Sequence, residues 1–249
     1  MNRMSPGALV GTPIKPKQTV AEVVFDFMRA KGMTRFFGNP GSTELPMFVN
    51  LPADFSYVLG LQESIVVAMA DAYSQVTRKP AFVNLHSAAG LGHALGNIYT
   101  AYRNRTPLII TTGQQTRELL PYDPFLFNES PTEFPKPYVK WAVEPARPED
   151  VPAAIARAWY LAMQPPRGPV LVSIPLGDWE APAAGPILDR EVSDVMGIDP
   201  AALENLVARI DRARQPVIVA GPGIDIDGGF DAAIRLAERM QAKVWVSPL

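Results

Sequence analysis

The sequence predicts an α/β fold in which a parallel β-sheet is covered by helices on both faces, an αβα sandwich. Two observations support this prediction. Between residues 19 and 112, strand-like and helix-like segments alternate four times with short connections. The predicted strands are continuous apolar runs, which is typical of strands buried on both faces of a parallel sheet.

The first helix is predicted from Thr19 to Ala30, because its apolar residues recur at helical spacing and Thr19 and Glu22 have the spacing of a capping box. We expect Ser42 or Thr43 to cap the second helix. The elements after the first helix follow the same rules of periodicity. The predicted strands are 34–37, 56–61, 80–85 and 107–112, and the helices between them are 44–49, 63–76 and 88–103.

A proline-rich stretch, residues 114–137, interrupts the alternation and is predicted to be a long irregular loop. Loops of this length in compact domains are commonly functional. We expect a strand over 138–143, a helix over 149–163 and a closing strand over 169–175. Residues 176–199 are rich in Pro, Gly and Asp and are predicted to form a linker.

These patterns divide the chain into a flexible tail (1–18), a first α/β domain (19–175), the linker (176–199) and the start of a second α/β domain (200–249). The second domain would have two strands and two helices, which are too few to enclose a core of their own. We therefore expect it to be incomplete, either because the chain is truncated or because another chain completes it.

The composition argues against several kinds of partner. Lys and Arg number 23 against 25 Asp and Glu, a net charge of −2, so no basic surplus indicates nucleic-acid binding. The absence of cysteine excludes disulfides and thiolate metal sites and fits a reducing compartment. No apolar run approaches the roughly 18–20 residues that span a bilayer, and the N-terminus lacks the apolar region of a secretory signal. We therefore expect a cytoplasmic protein with no membrane or nucleic-acid partner.

Two titratable residues stand where a predicted strand ends and a helix begins. Glu63 follows one apolar run and His86 follows the next. In parallel α/β sheets, ligands bind at this end of the strands. The residues alone leave alternatives open, because Glu63 also suits a solvent-facing first helical turn and His86 also suits a structural hydrogen bond. We assign His93, within the following helix, a structural role.

A glycine-containing turn, Gly38 to Glu44, leads into the second helix. Its N–H groups and the hydroxyls of Ser42 and Thr43 can hold an anion such as a carboxylate, although the same residues also suit a simple helix cap. The G-P-G turn at 221–223 lacks the third glycine of a dinucleotide fingerprint, so no ligand is assigned to it.

In combination, several segments resemble the thiamine-diphosphate-dependent decarboxylases, and most closely their benzoylformate branch. The segments are F-G-N-P-G-S-T-E-L-P, L-Q-E-S, N-L-H-S-A-A-G, T-T-G-Q-Q-T-R, V-K-W and G-P-V-L-V-S-I-P. The resemblance covers residues 19–249. The N-L-H-S-A-A-G turn favours the benzoylformate branch, because acetolactate-synthase relatives lack a histidine there and pyruvate-decarboxylase relatives carry two adjacent histidines.

The resemblance implies catalytic roles for three residues. Glu63 would match the glutamate that hydrogen-bonds N1′ of the cofactor's aminopyrimidine, and an apolar pocket that raises its pKa would suit this work. His86 would match an acid/base that acts on the substrate carbonyl oxygen or on the intermediate formed after CO2 leaves. Ser42 would match the hydroxyl that binds the substrate carboxylate.

Other residues are implied to line the cofactor and the substrate. Asn39, Pro40 and Gly41 would shape the turn against the cofactor, and Phe125 and Leu126 would line a pocket for an aromatic substrate. Mg2+ (or Ca2+) and the cofactor's diphosphate would be held by a G-D-G…N-N segment, which this sequence does not contain. No metal ligands are therefore assigned in this chain.

The resemblance implies that the chain is the N-terminal portion of an enzyme that converts a small 2-oxo acid to an aldehyde and CO2. The pyrimidine-binding domain would be followed by the start of the central domain, and the complete enzyme would be a homo-oligomer, a dimer of dimers. Two alternatives stay open: a carboligase or acyl-CoA lyase on the same fold, and a non-catalytic α/β binding module.

Overall fold

A computed structural model describes residues 18–188 and 197–247 of the chain. The chain divides into two compact units, Met1–Val192 and Ser193–Leu249. The predicted tail, 1–18, lies outside the described residues except for Gln18, and the predicted linker lies outside them at residues 189–196.

The first unit is built on a six-stranded sheet with the strand order β2-β1-β3-β4-β6-β5. Every neighbouring pair in this sheet is parallel. The strands are β1 (Arg35–Asn39), β2 (Ser56–Leu59), β3 (Ala81–Leu85), β4 (Leu108–Gln114), β5 (Ala142–Val143) and β6 (Val170–Pro175).

Helices cover both faces of the sheet and create two hydrophobic cores. One core contains Phe36, Phe82 and Ile109 beneath the first and fifth helices, and the other contains Val83 and Ile110 beneath the third and fourth. Successive residues of a strand point to opposite faces, so one apolar run supplies both cores. The helices are α1 (Val20–Ala30), α2 (Leu45–Phe48), α3 (Glu63–Thr77), α4 (Ser87–Arg103) and α5 (Val151–Met163). The predicted αβα sandwich is confirmed.

The first helix begins as predicted. The Thr19 hydroxyl accepts a hydrogen bond from the N–H of Glu22, and the N–H of Thr19 donates to the Glu22 carboxylate, which completes the capping box of α1. The second helix does not follow the prediction. It is only four residues long, its N-terminal flanking residue is Glu44, and neither Ser42 nor Thr43 caps it.

Two strands also differ from the expectation. β2 lies at the edge of the sheet and is half exposed, because a neighbouring strand covers only one of its sides. β5, at the other edge, contains only Ala142 and Val143 of the predicted 138–143. Lys140 precedes it, and its ammonium group donates to the carbonyls of Leu161 and Gln164 at the end of α5.

The beginning of the predicted linker packs against the first unit. Leu176–Glu180 form a 3-10 turn in which Asp178 and Trp179 are buried. The Asp178 carboxylate accepts two hydrogen bonds from the Arg117 guanidinium, and Pro182 forms a bridge with Thr19. The sequence does not predict this packing, because Pro and Gly content indicates turns but not whether they are buried. The burial of Asp178 depends on Arg117, which lies far away in the sequence.

The second unit contains a two-stranded parallel sheet and three helices. Its strands are β7 (Val217–Ala220) and β8 (Lys243–Val246), and its helices are α6 (Pro200–Arg212), α7 (Gly223–Ile226) and α8 (Phe230–Met240). The short helix α7 replaces the simple turn that G-P-G predicts. Among the helices of both described ranges, none combines the length and the apolar character needed to cross a membrane.

Candidate active site

Three turns meet at the carboxyl edge of the first sheet. β1 lies between β2 and β3, so the turn after β1 separates the turn that carries Glu63 from the turn that carries His86. Asn39 at the end of β1 is paired with Leu85 at the end of β3. The chain segments after these two residues therefore leave the sheet side by side. The parallel sheet thus brings together the three turns that the sequence singled out.

The first residue of α3, Glu63, lies buried between two polar partners. Only 7% of the residue is exposed. The side-chain amide of Asn39 donates to its Oε1 across 3.1 Å, and Nδ1 of His93 lies 3.0 Å from its Oε2. The helix itself is capped by Gln62, whose side-chain oxygen accepts from the N–H groups of Ser64 and Ile65.

Opposing effects act on the pKa of Glu63. Burial raises this pKa and is the largest single effect. Hydrogen bonds from the backbone of Glu63, from His93 and from Asn39, together with the charge of His93, lower the pKa and outweigh burial. The net pKa is below its ordinary value. The raised pKa that would suit the implied role is therefore not found, because hydrogen bonds from the backbone of Glu63, from His93 and from Asn39 reach the carboxylate.

His93 also contacts this cluster, and the structural role expected for it stays a prediction. Its side chain is 63% exposed and its imidazole contacts Glu63. Gly90 and His93 are three residues apart and share the face of α4 that meets Glu63. A Cβ atom on Gly90 would stand 3.1 Å from Cγ of Glu63, so α4 approaches α3 closely at this point. In the sequence, the helical spacing of Gly90 and His93 after the start of α4 was the signal that could have predicted this contact.

The second titratable candidate, His86, precedes α4 and contacts the turn after β1. Its Nδ1 lies 2.7 Å from Oε2 of Glu44 and 3.3 Å from the hydroxyl of Thr43. The ring packs over Gly41, where a Cβ atom would stand 2.1 Å from Nδ1. Only glycine leaves room for the imidazole in this position.

Glu44, for which the sequence indicated only a helix start, is a buried and fully engaged carboxylate. It is 2% exposed, and its carboxylate accepts from the N–H groups of Gly41, Ser87 and Gly113 and from the hydroxyl of Thr43. The sequence places it at the start of an amphipathic helix, where a solvent-facing acid is common. Its burial depends on the segments at the ends of β1, β3 and β4, which lie far from one another in the sequence.

The charge of Glu44 also acts on Tyr57 of β2. Burial, and secondly the negative charge of Glu44, raise the pKa of the Tyr57 phenol. The hydroxyl is buried without a hydrogen-bond partner among the described residues. It lies against Gly38, where a Cβ atom would stand 1.9 Å from the phenol oxygen. Tyr57 therefore remains neutral beneath the site.

The remaining residues of the turn after β1 are more open. Ser42 is exposed, and Pro40 is half-buried. The N–H of Gly41 donates to Oε2 of Glu44 across 2.8 Å. This N–H is therefore already satisfied, which corrects the expectation that the N–H groups of the turn as a whole can hold an anion. The Ser42 hydroxyl stays the predicted anion ligand.

The two predicted pocket residues lie on the loop after β4. Phe125 is 87% exposed, and Leu126 has a positive φ of 68°, an uncommon conformation for a bulky residue. The loop is anchored to the end of β4, because the side chain of Gln114 makes hydrogen bonds with both backbone groups of Asn128. It therefore starts from the same sheet edge as the site. The contacts in the described ranges do not join Phe125 or Leu126 to Ser42, so the substrate pocket stays a prediction.

Metal binding has no support from side-chain clusters in the described part of the chain. Within residues 18–188 and 197–247, no group of three or more His, Asp or Glu side chains is arranged to hold a metal ion. The carboxylates of the site, Glu44 and Glu63, are each engaged by hydrogen-bond donors instead. The arrangement suits proton transfer and the recognition of polar organic groups.

Comparisons with known proteins agree with this geometry. Residues 18–133 match the family model described as "Thiamine pyrophosphate enzyme, N-terminal TPP binding domain". The chain is 43% identical to a benzoylformate decarboxylase of Pseudomonas aeruginosa over 93% of this chain and 44% of that protein. The chain therefore spans less than half the length of this relative.

Solved structures give the same result. The benzoylformate decarboxylase of Polynucleobacter necessarius superimposes with a TM-score of 0.90 at 48% identity, over 93% of this chain and 44% of that one. A thiamine diphosphate-dependent 4-hydroxybenzoylformate decarboxylase of Rhodococcus jostii superimposes with a TM-score of 0.89 at 42% identity, over the same shares of the two chains.

Proposed function

We propose that the chain belongs to the thiamine-diphosphate-dependent enzymes and that the complete protein removes CO2 from an aryl 2-oxo acid without oxidation to give an aldehyde. The observation that carries this proposal is the meeting of Glu63 and His86 at one sheet edge, on either side of the turn that follows β1. The benzoylformate decarboxylases named above, which share 43% and 48% of aligned residues with this chain, support the aryl substrate.

The residues around Glu63 fit the aminopyrimidine ring of thiamine diphosphate. Glu63 offers a carboxylate, which accepts the N–H that a protonated ring nitrogen presents. A Cβ atom on Gly90 would stand within 3.3 Å of three Glu63 atoms. Because residue 90 is glycine, no side chain at this position obstructs a ring that approaches the carboxylate. Exposed His93 can rotate away from Oε2 when a ring nitrogen takes its place. Asn39, Pro40 and Gly41 would border the cofactor on the side of β1.

Thiamine diphosphate, when bound, supplies the nucleophilic carbon and the electron sink that decarboxylation of a 2-oxo acid requires. Glu63 holds a proton between its carboxylate and N1′ of the pyrimidine. His86 accepts or donates a proton at the carbonyl oxygen of the substrate through Nε2, since Nδ1 is engaged by Glu44. The exposed hydroxyl of Ser42 donates to the substrate carboxylate, and Phe125 and Leu126 exclude water from the aryl group.

The proposal extends to groups that this sequence does not supply. Mg2+ (or Ca2+) and the diphosphate would be held by residues other than those of this chain, in a homo-oligomer built as a dimer of dimers. The absence of cysteine fits the reducing environment of the cytoplasm, which we propose as the location of the protein. The nearest alternative, a carboligase or acyl-CoA lyase on the same fold, and the non-catalytic α/β module gain no support from a particular contact among the described residues.

A steady-state assay of the complete protein tests the proposal. With thiamine diphosphate and Mg2+, benzoylformate should yield benzaldehyde and CO2. Glu63→Gln should lower kcat by about 10²-fold or more. The matched control is Asp71→Asn on the same helix, because Asp71 is also a buried carboxylate with several donors but contacts no residue of the site.

The products distinguish the alternatives. A 2-hydroxy ketone as the main product would indicate a carboligase and contradict decarboxylation as the primary reaction. No CO2 release from any aryl 2-oxo acid would refute the proposed substrate class. Full activity of Glu63→Gln would refute the role of Glu63.

A further inference from the structure

The buried carboxylate of Glu44 has no part in the proposed chemistry, yet it joins the ends of β1, β3 and β4 beside His86. Its partners come from the turn after β1 (Gly41 and Thr43), from the start of α4 (His86 and Ser87) and from the end of β4 (Gly113). A carboxylate with this many partners in a buried position is costly to replace, because each donor would lose its acceptor.

The partners divide between the two carboxylate oxygens. Oε1 accepts from the Thr43 hydroxyl, the Ser87 N–H and the Gly113 N–H, at 2.7, 3.2 and 2.9 Å. Oε2 accepts from the Gly41 N–H at 2.8 Å and lies 2.7 Å from Nδ1 of His86. Since the other partners are all donors, the carboxylate is satisfied as a pure acceptor, and Nδ1 of His86 must carry a hydrogen to complete the set.

The tautomer of His86 follows from this division. With hydrogen on Nδ1, neutral imidazole has its lone pair on Nε2. In the described residues, both hydrogen bonds of the His86 ring are made by Nδ1, and Nε2 has no partner. We propose that Glu44 is a positioning residue that holds His86 in the Nδ1–H tautomer with Nε2 free to exchange a proton with the substrate. The catalytic part of this inference rests on the proposed function.

The backbone around Glu44 is shaped to bring the carboxylate to the imidazole. A Cβ atom on Gly113 would stand 2.0 Å from Oε1 of Glu44, and one on Gly41 would stand 2.1 Å from Nδ1 of His86. Ser87 has a positive φ of 45°, which is strained for a residue with a side chain, and in this conformation its N–H donates to Oε1. The glycines leave room for these contacts, and the Ser87 conformation accompanies them.

Nitrogen NMR of the imidazole tests the tautomer without any activity. The chain has two histidines, so a His93→Asn variant of the 249-residue chain assigns the remaining signals to His86. At an alkaline pH, at which histidine is ordinarily neutral, we expect a pyrrole-type Nδ1 and a pyridine-type Nε2 in the unmodified chain. A pyridine-type Nδ1 there would overturn the proposal, and this result needs no variant of Glu44.

The substitution Glu44→Gln preserves shape and changes the pattern of donors. The best orientation of the amide turns its oxygen toward the three donors of the Oε1 side, so its NH2 group faces Nδ1 of His86 and the Gly41 N–H loses its acceptor. Nδ1 then accepts and Nε2 carries the hydrogen, so we expect the two nitrogen signals to exchange type. Asp71→Asn is the matched control and should leave the His86 signals unchanged, since Asp71 accepts from Gln75, Asn104 and Thr106 only.

Kinetics of the complete protein separate positioning from simple stabilisation. Glu44→Gln should lower kcat for benzoylformate by about 10²-fold with little change in KM, because an imidazole with hydrogen on Nε2 no longer accepts a proton there. In a His86→Ala background the same change should cause no further loss, since two residues that act through one group are not additive.

Each outcome decides the matter. Exchanged nitrogen signals together with a non-additive loss of kcat support positioning. Independent, multiplicative losses in the double variant, or unchanged tautomer signals in a folded Glu44→Gln chain, overturn it. If the complete protein decarboxylates no aryl 2-oxo acid, the proposed function fails, while the tautomer of His86 still decides whether Glu44 positions the ring.

Discussion

Oε2 of Glu63 and Nδ1 of His93 lie 3.0 Å apart and join the start of α3 to the second turn of α4. The partners are unequally exposed, since the Glu63 side chain is 9% and the His93 side chain 63% accessible. Glu63 therefore carries most of the desolvation cost, and His93 offsets part of it. His93, together with Asn39, therefore lowers the pKa of the glutamate at the centre of the proposed site.

Replacing His93 should raise the pKa of Glu63. The change His93→Asn removes the charge of His93 and replaces its ring N–H with a weaker amide donor, while burial, which raises the pKa, is unchanged. An NMR titration that follows the side-chain carboxyl carbon of Glu63 measures the shift. Asp71→Asn should leave the Glu63 titration in place. A Glu63 pKa that is equal or lower in His93→Asn would contradict the prediction.

The same pair should make stability depend on pH in the acid range. Because the folded pKa of Glu63 is lowered, its contribution is fully present above the unfolded value of about 4.3 and is lost as the pH falls through the folded value. We expect the unmodified chain to exceed His93→Asn in stability at neutral pH, and this difference to shrink in acid. Urea denaturation of both chains across that range measures it. A difference that grows on acidification would show the opposite sign.

Adding a methyl group at Gly41 should displace His86. The new Cβ atom would stand 2.1 Å from Nδ1, so the ring must move by about 1 Å or more to restore ordinary contact. A displacement of this size costs about 10²-fold in kcat when it misplaces an acid/base. Gly177→Ala is the control, because nothing lies within 4 Å of its Cβ position. Unchanged kcat in Gly41→Ala would argue against His86 as the acid/base.

A second glycine substitution should stabilise the chain. Gly96 lies inside α4, is exposed, and has no atom within 4 Å of its Cβ position. Gly96→Ala should therefore raise the free energy of unfolding by about 0.5–1 kcal/mol, since alanine loses less backbone freedom in a helix. Urea denaturation of the 249-residue chain measures this effect. Destabilisation would indicate that the outer face of α4 is covered in solution.

Removal of Arg117 should destabilise the fold far more than removal of a surface arginine. Arg117 donates twice to Asp178, which is 2% exposed, and also to the carbonyls of Pro145 and Ala146. Arg117→Ala leaves the Asp178 charge buried without its partner, which costs about 3 kcal/mol or more.

The control for this prediction is Arg147→Ala. Arg147 pairs with Asp150 on the surface, where solvent screens the two charges and the pair contributes little to stability. Denaturation midpoints of the two variants should therefore differ clearly. Equal losses of stability would mean that the Arg117–Asp178 pair contributes no more than an exposed pair.

Local patterns in the sequence were enough to predict the elements of the first unit. The apolar runs that became β3 and β4, the helical spacing of α1, and its Thr19–Glu22 capping box all depend on residues within one or two turns of each other. The same patterns placed Glu63 and His86 at strand ends, because a change from apolar to polar residues marks the end of a buried strand. These features follow from short-range chemistry.

Only the tertiary structure decided which residues act on those two side chains. The strand order places β1 between β2 and β3, which brings Asn39 to Glu63 and Glu44 to His86. Glu44 contacts Gly113, a residue 69 positions away, and no local pattern contains such a contact. The lowered pKa of Glu63 results from a hydrogen bond of its own backbone and from His93 and Asn39, which the sequence separates from it by 30 and 24 residues. The sequence alone determined that Glu63 and His86 follow buried strands. The fold determined their burial and their hydrogen-bond partners, because both depend on residues that are distant in the sequence.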